Sequence, residues 1–343
     1  MKKLEGMNLL FCCDNDDCAS YLLQHGLRDK VDLVYIDPPF HSGGRYFHRN
    51  QNCSTIAFED IWNGHDYLEM MRSRLDKIWC LISPTGSIFI HLDWHAVHYV
   101  KVMMDEIFGP ENFRNEIIVK RGRRKNLQYQ FNSIDRMHNA FDSILWYSRS
   151  KETKFQLPLV EQKSKAKWMG FWSNVNRPTM RYEIFGYTPE RGQWKWSKDR
   201  ALRAIANYGL YEKEFSSQMS LEEYWRLSER KLEFIRKRKG VKYAEYWIPL
   251  KSHKILDNIW LDIEAYNYST GYATEKHEEL LGRIIDLFSK PDGLIADFFC
   301  GSGTALVVAQ KLGRKWIGCD LSPIAISVAK KRLFDASYEE IRL

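Results

Sequence analysis

An α/β fold with a basic module inserted into its middle is what this sequence of 343 residues predicts. Three observations carry that expectation. Short apolar runs alternate with helix-period runs in the N-terminal part of the chain. The same alternation returns toward the C-terminus. Between them lies a stretch that loses all period while gathering positive charge.

Residues 8–13 read as a buried strand, 17–25 as a helix and 31–36 as a second strand, which is the opening of an α/β domain. A polar loop from 41 to about 63 follows, then a helix over 65–82. In that helix Leu68, Met71, Leu75, Ile78 and Trp79 recur at helical spacing, and Met70, Met71 and Trp79 read as core. Pro84-Thr85-Gly86 stops it. Next come a strand at 87–92, a helix at 94–108 closed by Gly109-Pro110, a strand at 116–119 before a basic loop, and a strand at 141–147. Beyond Ser148 the alternation is lost, to return as a helix at 276–288, a strand at 294–299, a helix at 304–312, a strand at 316–319 and a last helix from 323 to about 334. The expected organisation is therefore an N-terminal half of the α/β domain over 1–150, an insertion over 151–255, and a C-terminal half over 256–343.

Composition narrows the class. Hydrophobic residues make up 44% and charged residues 28%, a balance that suits a globular protein in water. No apolar stretch approaches the roughly 20 residues that a bilayer requires, and residues 1–5 run into no signal-peptide core, so a cytoplasmic protein without membrane partners is expected. Seven cysteines, with no Cys-x-x-Cys pair and no histidine in zinc spacing, read as reduced thiols holding no metal. The formal charge is +7. Residues 151–250 hold 21 Lys+Arg against 12 Asp+Glu, so this segment alone carries +9 and the rest −2. A polyanionic partner for the insertion follows from that distribution.

Two motifs carry chemistry. The first, Asp37-Pro38-Pro39-Phe40, directly follows the apolar strand that ends at Ile36. Ligands of open α/β sheets bind beyond the carboxyl ends of strands, and paired prolines stiffen the loop there. An exocyclic amine of a nucleobase is a poor nucleophile because its lone pair is delocalised into the ring. Acceptors on its N–H bonds, here Asp37 and the Pro38 carbonyl, localise that lone pair, while Phe40 offers a face to stack on the base. Alone, Asp-Pro-Pro reads first as a turn that ends a strand; its position after the apolar strand and the second motif reverse that reading.

The second motif is Asp297-Phe298-Phe299-Cys300-Gly301-Ser302-Gly303-Thr304, a strand, a glycine loop and a helix start. Its glycines permit close backbone approach to a ligand, and the helix N-terminus supplies free N–H groups. Leu306 stands where a dinucleotide fingerprint has its third glycine, which argues against a nicotinamide cofactor. Asp320, at the end of the next strand, is placed either to accept hydrogen bonds from ribose hydroxyls or to cap the last helix beside Ser322 and Pro323.

Together these pieces resemble the amino-methyltransferases of DNA, in the permuted order called the beta class. Supporting segments are Gly86-Ser87-Ile88-Phe89-Ile90-His91, Asp142-Ser143-Ile144-Leu145-Trp146-Tyr147, Thr274-Glu275-Lys276 and Trp316-Ile317-Gly318-Cys319-Asp320. The resemblance covers roughly residues 8–150 and 255–335. It implies a class I methyltransferase fold, a Rossmann-like, doubly wound and mostly parallel sheet, with an inserted target-recognition module. It also implies S-adenosylmethionine as methyl donor. In that scheme 298–304 hold the methionine end, Asp320 the ribose, Asp14 the adenine, and Thr274 with Lys276 form a cofactor-side motif. His277 departs from the proline common in the family after that lysine. Asp-Pro-Pro is associated with adenine-N6 enzymes and Ser-Pro-Pro with cytosine-N4 enzymes, so the expected reaction is methylation of adenine N6, on a base flipped out of the duplex. Cytosine-N4 methylation is the close rival, and a non-catalytic DNA-binding subunit the distant one.

Double-stranded DNA is the expected partner, with a homodimer and a companion restriction enzyme compatible with the family. Two charge runs, Lys120-Arg121-Gly122-Arg123-Arg124-Lys125 and Arg236-Lys237-Arg238-Lys239, are the candidate phosphate contacts, though such runs are often only solvated faces. Most of Trp168, Phe171, Trp172, Tyr182, Phe185, Tyr187, Trp194 and Trp196 are expected to form the core of the module.

Overall fold

The computed structural model describes residues 4, 6–50, 53–122, 137–161, 165–238, 240 and 243–343. Two compact units emerge: Met1–Pro158 with Asp257–Leu343, and Leu159–Leu256. Among the described residues no helix is long and apolar enough to cross a membrane.

The first unit is built on a nine-stranded sheet: β1 (Leu9–Cys12), β2 (Val31–Ile36), β3 (Ile82–Leu92), β4 (Phe113–Lys120), β5 (Phe141–Ser148), β6 (Ile259–Glu264), β7 (Leu294–Asp297), β8 (Lys315–Asp320) and β9 (Glu339–Ile341). Their spatial order is β6-β4-β5-β3-β2-β7-β8-β1-β9, and all run parallel except β5. The central strands are near-continuous apolar runs because helices cover both faces. On one side α1 (Asn15–Gln24), α2 (Gly64–Leu81) and α3 (Val97–Phe108) set Leu22, Met71, Leu75, Val100 and Met104 against Phe11, Val34, Ile36, Ile88 and Ile90. On the other, α4 (Glu278–Phe288) lays Phe288 with its ring centroid 5.0 Å from Phe89 and 4.6 Å from Trp146. The class I, Rossmann-like α/β architecture expected from the sequence is the one observed.

Winding reverses between β2 and β7. From β2 the chain crosses through α2 to β3, on one side. From β7 it crosses through α5 (Thr304–Lys311) to β8, on the other. The two strands nonetheless pair directly, Leu33 opposite Ile295 and Val34 opposite Ala296, so a crevice opens beyond their carboxyl ends.

Several elements depart from the sequence expectation. The segment read as a polar loop over 41–63 contains an antiparallel hairpin, Gly44–Asn50 with Cys53–Asp60, whose inner side packs Ala57 and Phe58 near Tyr272 and Ala325. Its alternation is masked in sequence by polar and charged residues. Strand β3 begins at Ile82, before Pro84-Thr85-Gly86, with a register irregularity that absorbs the turn residues. Strands β6 and β9 lie at the two sheet edges; β9 is short and polar, and β6 leaves Ile259 and Leu261 exposed beside buried Trp260 and Ile263, so neither shows a clear apolar–polar alternation.

The second unit holds a three-stranded antiparallel sheet (Ile235–Lys237, Ala244–Ile248, Lys167–Gly170), two small two-stranded ribbons, and helices Lys198–Leu210 and Leu221–Leu227. Its core centres on fully buried Phe171 and Trp194, stacked at 5.5 Å, with Tyr182, Phe185, Tyr187 and Trp196 packed around them.

Gly303 leads into α5 at φ +77°, and a Cβ there would lie 2.8 Å from the Cβ of Ala329 on α6 (Pro323–Arg332). A side chain is thus opposed both by the left-handed backbone and by the close approach of α6. Gly303→Ala is expected to lower stability by about 1–3 kcal/mol in thermal melting, with Ala329→Gly restoring only the part due to the clash. An unchanged melting temperature would show that the contact is not structural.

Candidate active site

Strand β2 delivers Asp37 to the crevice, and the chain beyond it is held by an acid that the motif reading missed. Asp60, 1% exposed at the end of the hairpin, accepts hydrogen bonds from the backbone N–H of Phe40 (3.1 Å), His41 (3.0 Å) and Ser42 (2.8 Å) and from the Ser42 hydroxyl (2.6 Å). Its own carbonyl accepts from Gly43 N–H at 2.9 Å. One buried carboxylate therefore satisfies the donors of the turn and fixes where Phe40 points. His41 takes φ +60° in that turn.

Asp37 Oδ2 receives the Lys276 ammonium at 2.5 Å, with side chains only 16% and 5% exposed, while Asp37 Oδ1 is buried without a hydrogen-bond partner. Behind this pair runs a buried polar chain on β2 to β5. Tyr35 Oη lies 2.9 Å from His91 Nδ1, and His91 Nε2 lies 3.2 Å from Asp142 Oδ2. Arg121 closes the chain, 3.0 Å from Asp142 and 3.4 Å from Asp93. Burial pushes the His91 imidazole below its ordinary range, and the Lys276 charge adds to this. Burial opposes ionisation of Asp142, yet the His91 hydrogen bond and the Arg121 charge hold its carboxyl below the usual value. A neutral ring against an ionised acid requires that His91 Nε2–H donate to Asp142 and that Nδ1 accept from Tyr35.

Strand β7 delivers the glycine loop. Asp297 accepts from Phe299 N–H at 3.0 Å and is buried, which pushes its carboxyl well above the usual range. Asp320 accepts from Gly301 N–H and Ser322 N–H, both at 2.8 Å, so it shapes the loop and braces Ser322, whose own hydroxyl caps the last helix by accepting from Ala325 N–H. Burial raises its carboxyl too. Asn15 donates to the Phe298 carbonyl at 3.0 Å, and Asp14, which caps α1, pairs with Arg74 at 2.9 Å. Arg332 donates to the Ser302 carbonyl at 3.1 Å and to Thr304 Oγ1 at 2.9 Å, securing the start of α5.

These pieces surround one cavity of about 660 Å³. Asp37, Pro38, Pro39 and Phe40 line it, as do Asp14, Thr274, Lys276, Asp297, Phe298, Phe299, Cys300, Gly301, Ser302, Thr304 and Asp320. Gly303 does not line it; its side of the backbone faces Ala329. Tyr46, Ile56, Phe58 and Trp62 of the hairpin region, with Tyr272, complete the wall. Lys276 stands on the Asp37 side, on the carboxylate itself, a placement the sequence reading did not anticipate. A His and an Asp inside the apolar strands β3 and β5 were the available signal for the buried network. Asp60 had no signal, since one acid at the end of a polar segment is commonplace.

The candidate phosphate contacts fall differently. Arg121, 18% exposed, is engaged by Asp93 and Asp142 and lies 5.6 Å over the Tyr266 ring, so its charge is spent within the protein. Arg236 pairs with Glu245 at 2.6 Å and stacks 4.0 Å over Trp168. Lys237 and Arg238 are exposed. Arg123, Arg124, Lys125 and Lys239 lie outside the described residues.

The family profile for DNA methylases, covering N6 and N4 amino-methyltransferases, matches residues 31–331. The chain belongs to this family. Among relatives of this methylase, the Type II methyltransferase M.EcaI of Enterobacter cloacae is 28% identical over 337 residues, which cover 95% of this chain and 69% of that one. M.KpnI of Klebsiella pneumoniae, also a Type II methyltransferase, is 25% identical over 82% of this chain and 72% of its own. The StyLTI Mod subunit, of a Type III restriction-modification enzyme from Salmonella typhimurium, is 26% identical over 90% of this chain but only 50% of its own. In fold the methylase is similar to TTHA0409 of Thermus thermophilus, assigned as a DNA modification methylase, with a TM-score of 0.50 and 15% identity over 98% of this chain and 99% of that one.

Asp60→Ala strips four donors of their acceptor. It is expected to cost about 3 kcal/mol in denaturant unfolding and to reduce methyl transfer more than it reduces cofactor affinity, because the freed turn belongs to the Asp37 side of the cavity. Equal losses in both would place the effect of Asp60 elsewhere.

Proposed function

We propose that this methylase transfers a methyl group from S-adenosylmethionine to N6 of adenine in double-stranded DNA, acting on a base turned out of the helix. One observation carries the reading: the glycine loop and Asp320 share a single cavity with Asp37, whose Oδ1 is buried and without a partner. An orphaned carboxylate oxygen at a strand end is a costly arrangement that a bound N–H donor relieves.

The residues present suit this donor. Apart from Asp297, the cavity is lined by Asp14, Asp37, Glu59, Asp60, Glu275 and Asp320 against Arg74 and Lys276, an acidic surround favourable to a cation. S-adenosylmethionine supplies an electrophilic methyl on a sulfonium. The peptide N–H groups of the glycine loop and α5 are suited to its carboxylate, and Asp320 to its ribose hydroxyls. On the acceptor side Asp37 Oδ1 and the Pro38 carbonyl receive the two N–H bonds of the amine, drawing its lone pair out of conjugation, and Phe40 stacks on the base. The amine nitrogen forms the new bond to carbon as the carbon–sulfur bond breaks, and the amine then releases one proton to water. Orientation supplies most of the acceleration. Turning the base out costs a few kcal/mol, which its contacts in the pocket offset.

Target recognition belongs, in this reading, to the unit Leu159–Leu256. Its surplus of positive charge and the exposed Lys237 and Arg238 support phosphate contact there. The Asp-Pro-Pro form of the motif supports adenine over cytosine. The permuted beta-class order has the same support, since the Asp37 loop precedes the glycine loop in the chain. Relatives that belong to restriction-modification systems support a companion restriction enzyme.

Incubation of duplex DNA with the methylase and methyl-labelled S-adenosylmethionine, followed by mass spectrometry of the nucleosides, tests the assignment. N6-methyldeoxyadenosine is the expected product. N4-methyldeoxycytidine would transfer the same mechanism to the smaller ring, and absence of either product would contradict the proposal.

A further inference from the structure

We infer that Lys276 is a positioning residue for the methyl acceptor: it holds Asp37 in one orientation, so that Oδ1 alone remains to receive the target amine. The inference rests on the reading of Asp37 proposed above.

Lys276 is fixed from both sides. Glu275, 2% exposed, accepts from the Ser269 hydroxyl, the Thr270 N–H and the Thr270 hydroxyl, each at 2.9 Å. Backbone bonds from Asn267 N–H to the Glu275 carbonyl (2.8 Å) and from His277 N–H to the Ala265 carbonyl (2.9 Å) flank the lysine, and His277 then caps α4. Thr274 sits at φ +60° in the turn that brings the chain here. A buried lysine on a backbone so constrained has one direction to reach, and its ammonium ends 4.3 Å over the Tyr266 ring, 5.5 Å over the Phe40 ring and 2.5 Å from Asp37 Oδ2.

Two consequences follow for Asp37. A carboxylate clamped through Oδ2 cannot rotate freely, so Oδ1 is presented at a fixed place, and a carboxylate beside an ammonium stays an acceptor. The second point has weight because Asp297 and Asp320 share the crevice, and neighbouring acids compete to hold a proton. Burial, with the Asp37 and Asp320 charges beside it, pushes Asp297 upward, so Asp297 is the acid of the crevice that takes a proton readily. The other titratable groups that feel the Asp37 charge are Tyr35 on β2, His91 on β3, Tyr67 on α2, and Tyr266 and Tyr272 before Lys276. The tyrosines are raised by burial and His91 is lowered by it, so none of them supplies a positive charge in place of Lys276.

The test is a comparison of Lys276→Met, Lys276→Arg, Asp37→Asn and the double variant Asp37→Asn/Lys276→Met. Each is assayed by calorimetry with S-adenosylmethionine and by single-turnover transfer to duplex DNA. Lys276→Met is expected to bind the cofactor within about threefold of wild type while its saturating rate falls about 10²-fold at neutral pH. Lys276→Arg should recover part of the rate at neutral pH. The double variant should be no slower than Asp37→Asn alone, since the lysine acts through Asp37. Cofactor affinity falling tenfold or more with the saturating rate unchanged would move Lys276 to the cofactor, and losses that multiply in the double variant would also overturn the inference. Should Lys276→Met fail to fold, the same comparison is made with Lys276→Gln. Transfer by Asp37→Asn at the wild-type rate is a separate result, which defeats the reading of Asp37 itself.

Discussion

The parallel pairing of β2 with β7 is the constraint on which the rest of the structure depends. Val34 opposite Ala296 and Leu33 opposite Ile295 bring together two segments more than half the chain apart, and each strand ends in one of the two chemical motifs. Because the winding turns away on either side, no crossover helix covers the crevice between them. Everything the site does follows from this register. A slip by one residue would turn Tyr35, and with it the polar network behind the pocket, into the opposite face of the sheet.

Around that junction the protein uses buried charge in opposite ways. Most carboxylates of the cavity are satisfied by backbone N–H groups: beside the glycine loop Asp320 by Gly301 and Ser322 and Asp297 by Phe299, and on the Asp37 side Asp60 by Phe40, His41 and Ser42. These acids act as local scaffolds that fix loop shape. Asp37, by contrast, has an ammonium on one oxygen and, among the described residues, no hydrogen-bond partner on the other. The contrast marks Asp37 as the acid still in need of a partner. The network Tyr35–His91–Asp142–Arg121–Asp93 lies beneath the same strands and ties β2, β3, β4 and β5 by polar contacts where apolar packing alone would permit sliding.

How much of this was legible in the sequence depended on whether a signal was local. The strand-then-motif pattern at Ile36-Asp37 and at Asp297-Phe298 is local, so an α/β fold and its two strand-end loops could be read from residue order and turn chemistry, while the methyltransferase class and its cofactor were reached through the family resemblance. Contacts made across the sheet could not. Lys276 reaches Asp37 over 239 positions, and nothing in Thr274-Glu275-Lys276 distinguishes a lysine facing the cofactor from one facing the acceptor. Arg121 looked like the second member of a basic run, yet Asp142 and Asp93, acids from two other segments, engage it. Gly303 was read as serving the ligand, whereas the nearby Ala329 requires it for helix packing. The hairpin over 44–60 was read as loop because its polar edge residues hide the alternation that pairing reveals.

The central claim, that two strand ends divide the labour of donor and acceptor within one cavity, is tested most directly by the split between affinity and rate in Asp37→Ala and Asp320→Ala, with melting temperatures measured on the same samples. The account predicts that Asp37→Ala abolishes single-turnover methyl transfer while cofactor affinity stays close to wild type in a protein that remains folded but melts at a lower temperature, because buried Lys276 loses its partner, and that Asp320→Ala weakens cofactor binding but regains much of its rate at saturating S-adenosylmethionine. If Asp37→Ala still transferred methyl, or if both variants lost affinity and rate in equal measure without unfolding, the division of labour would be contradicted.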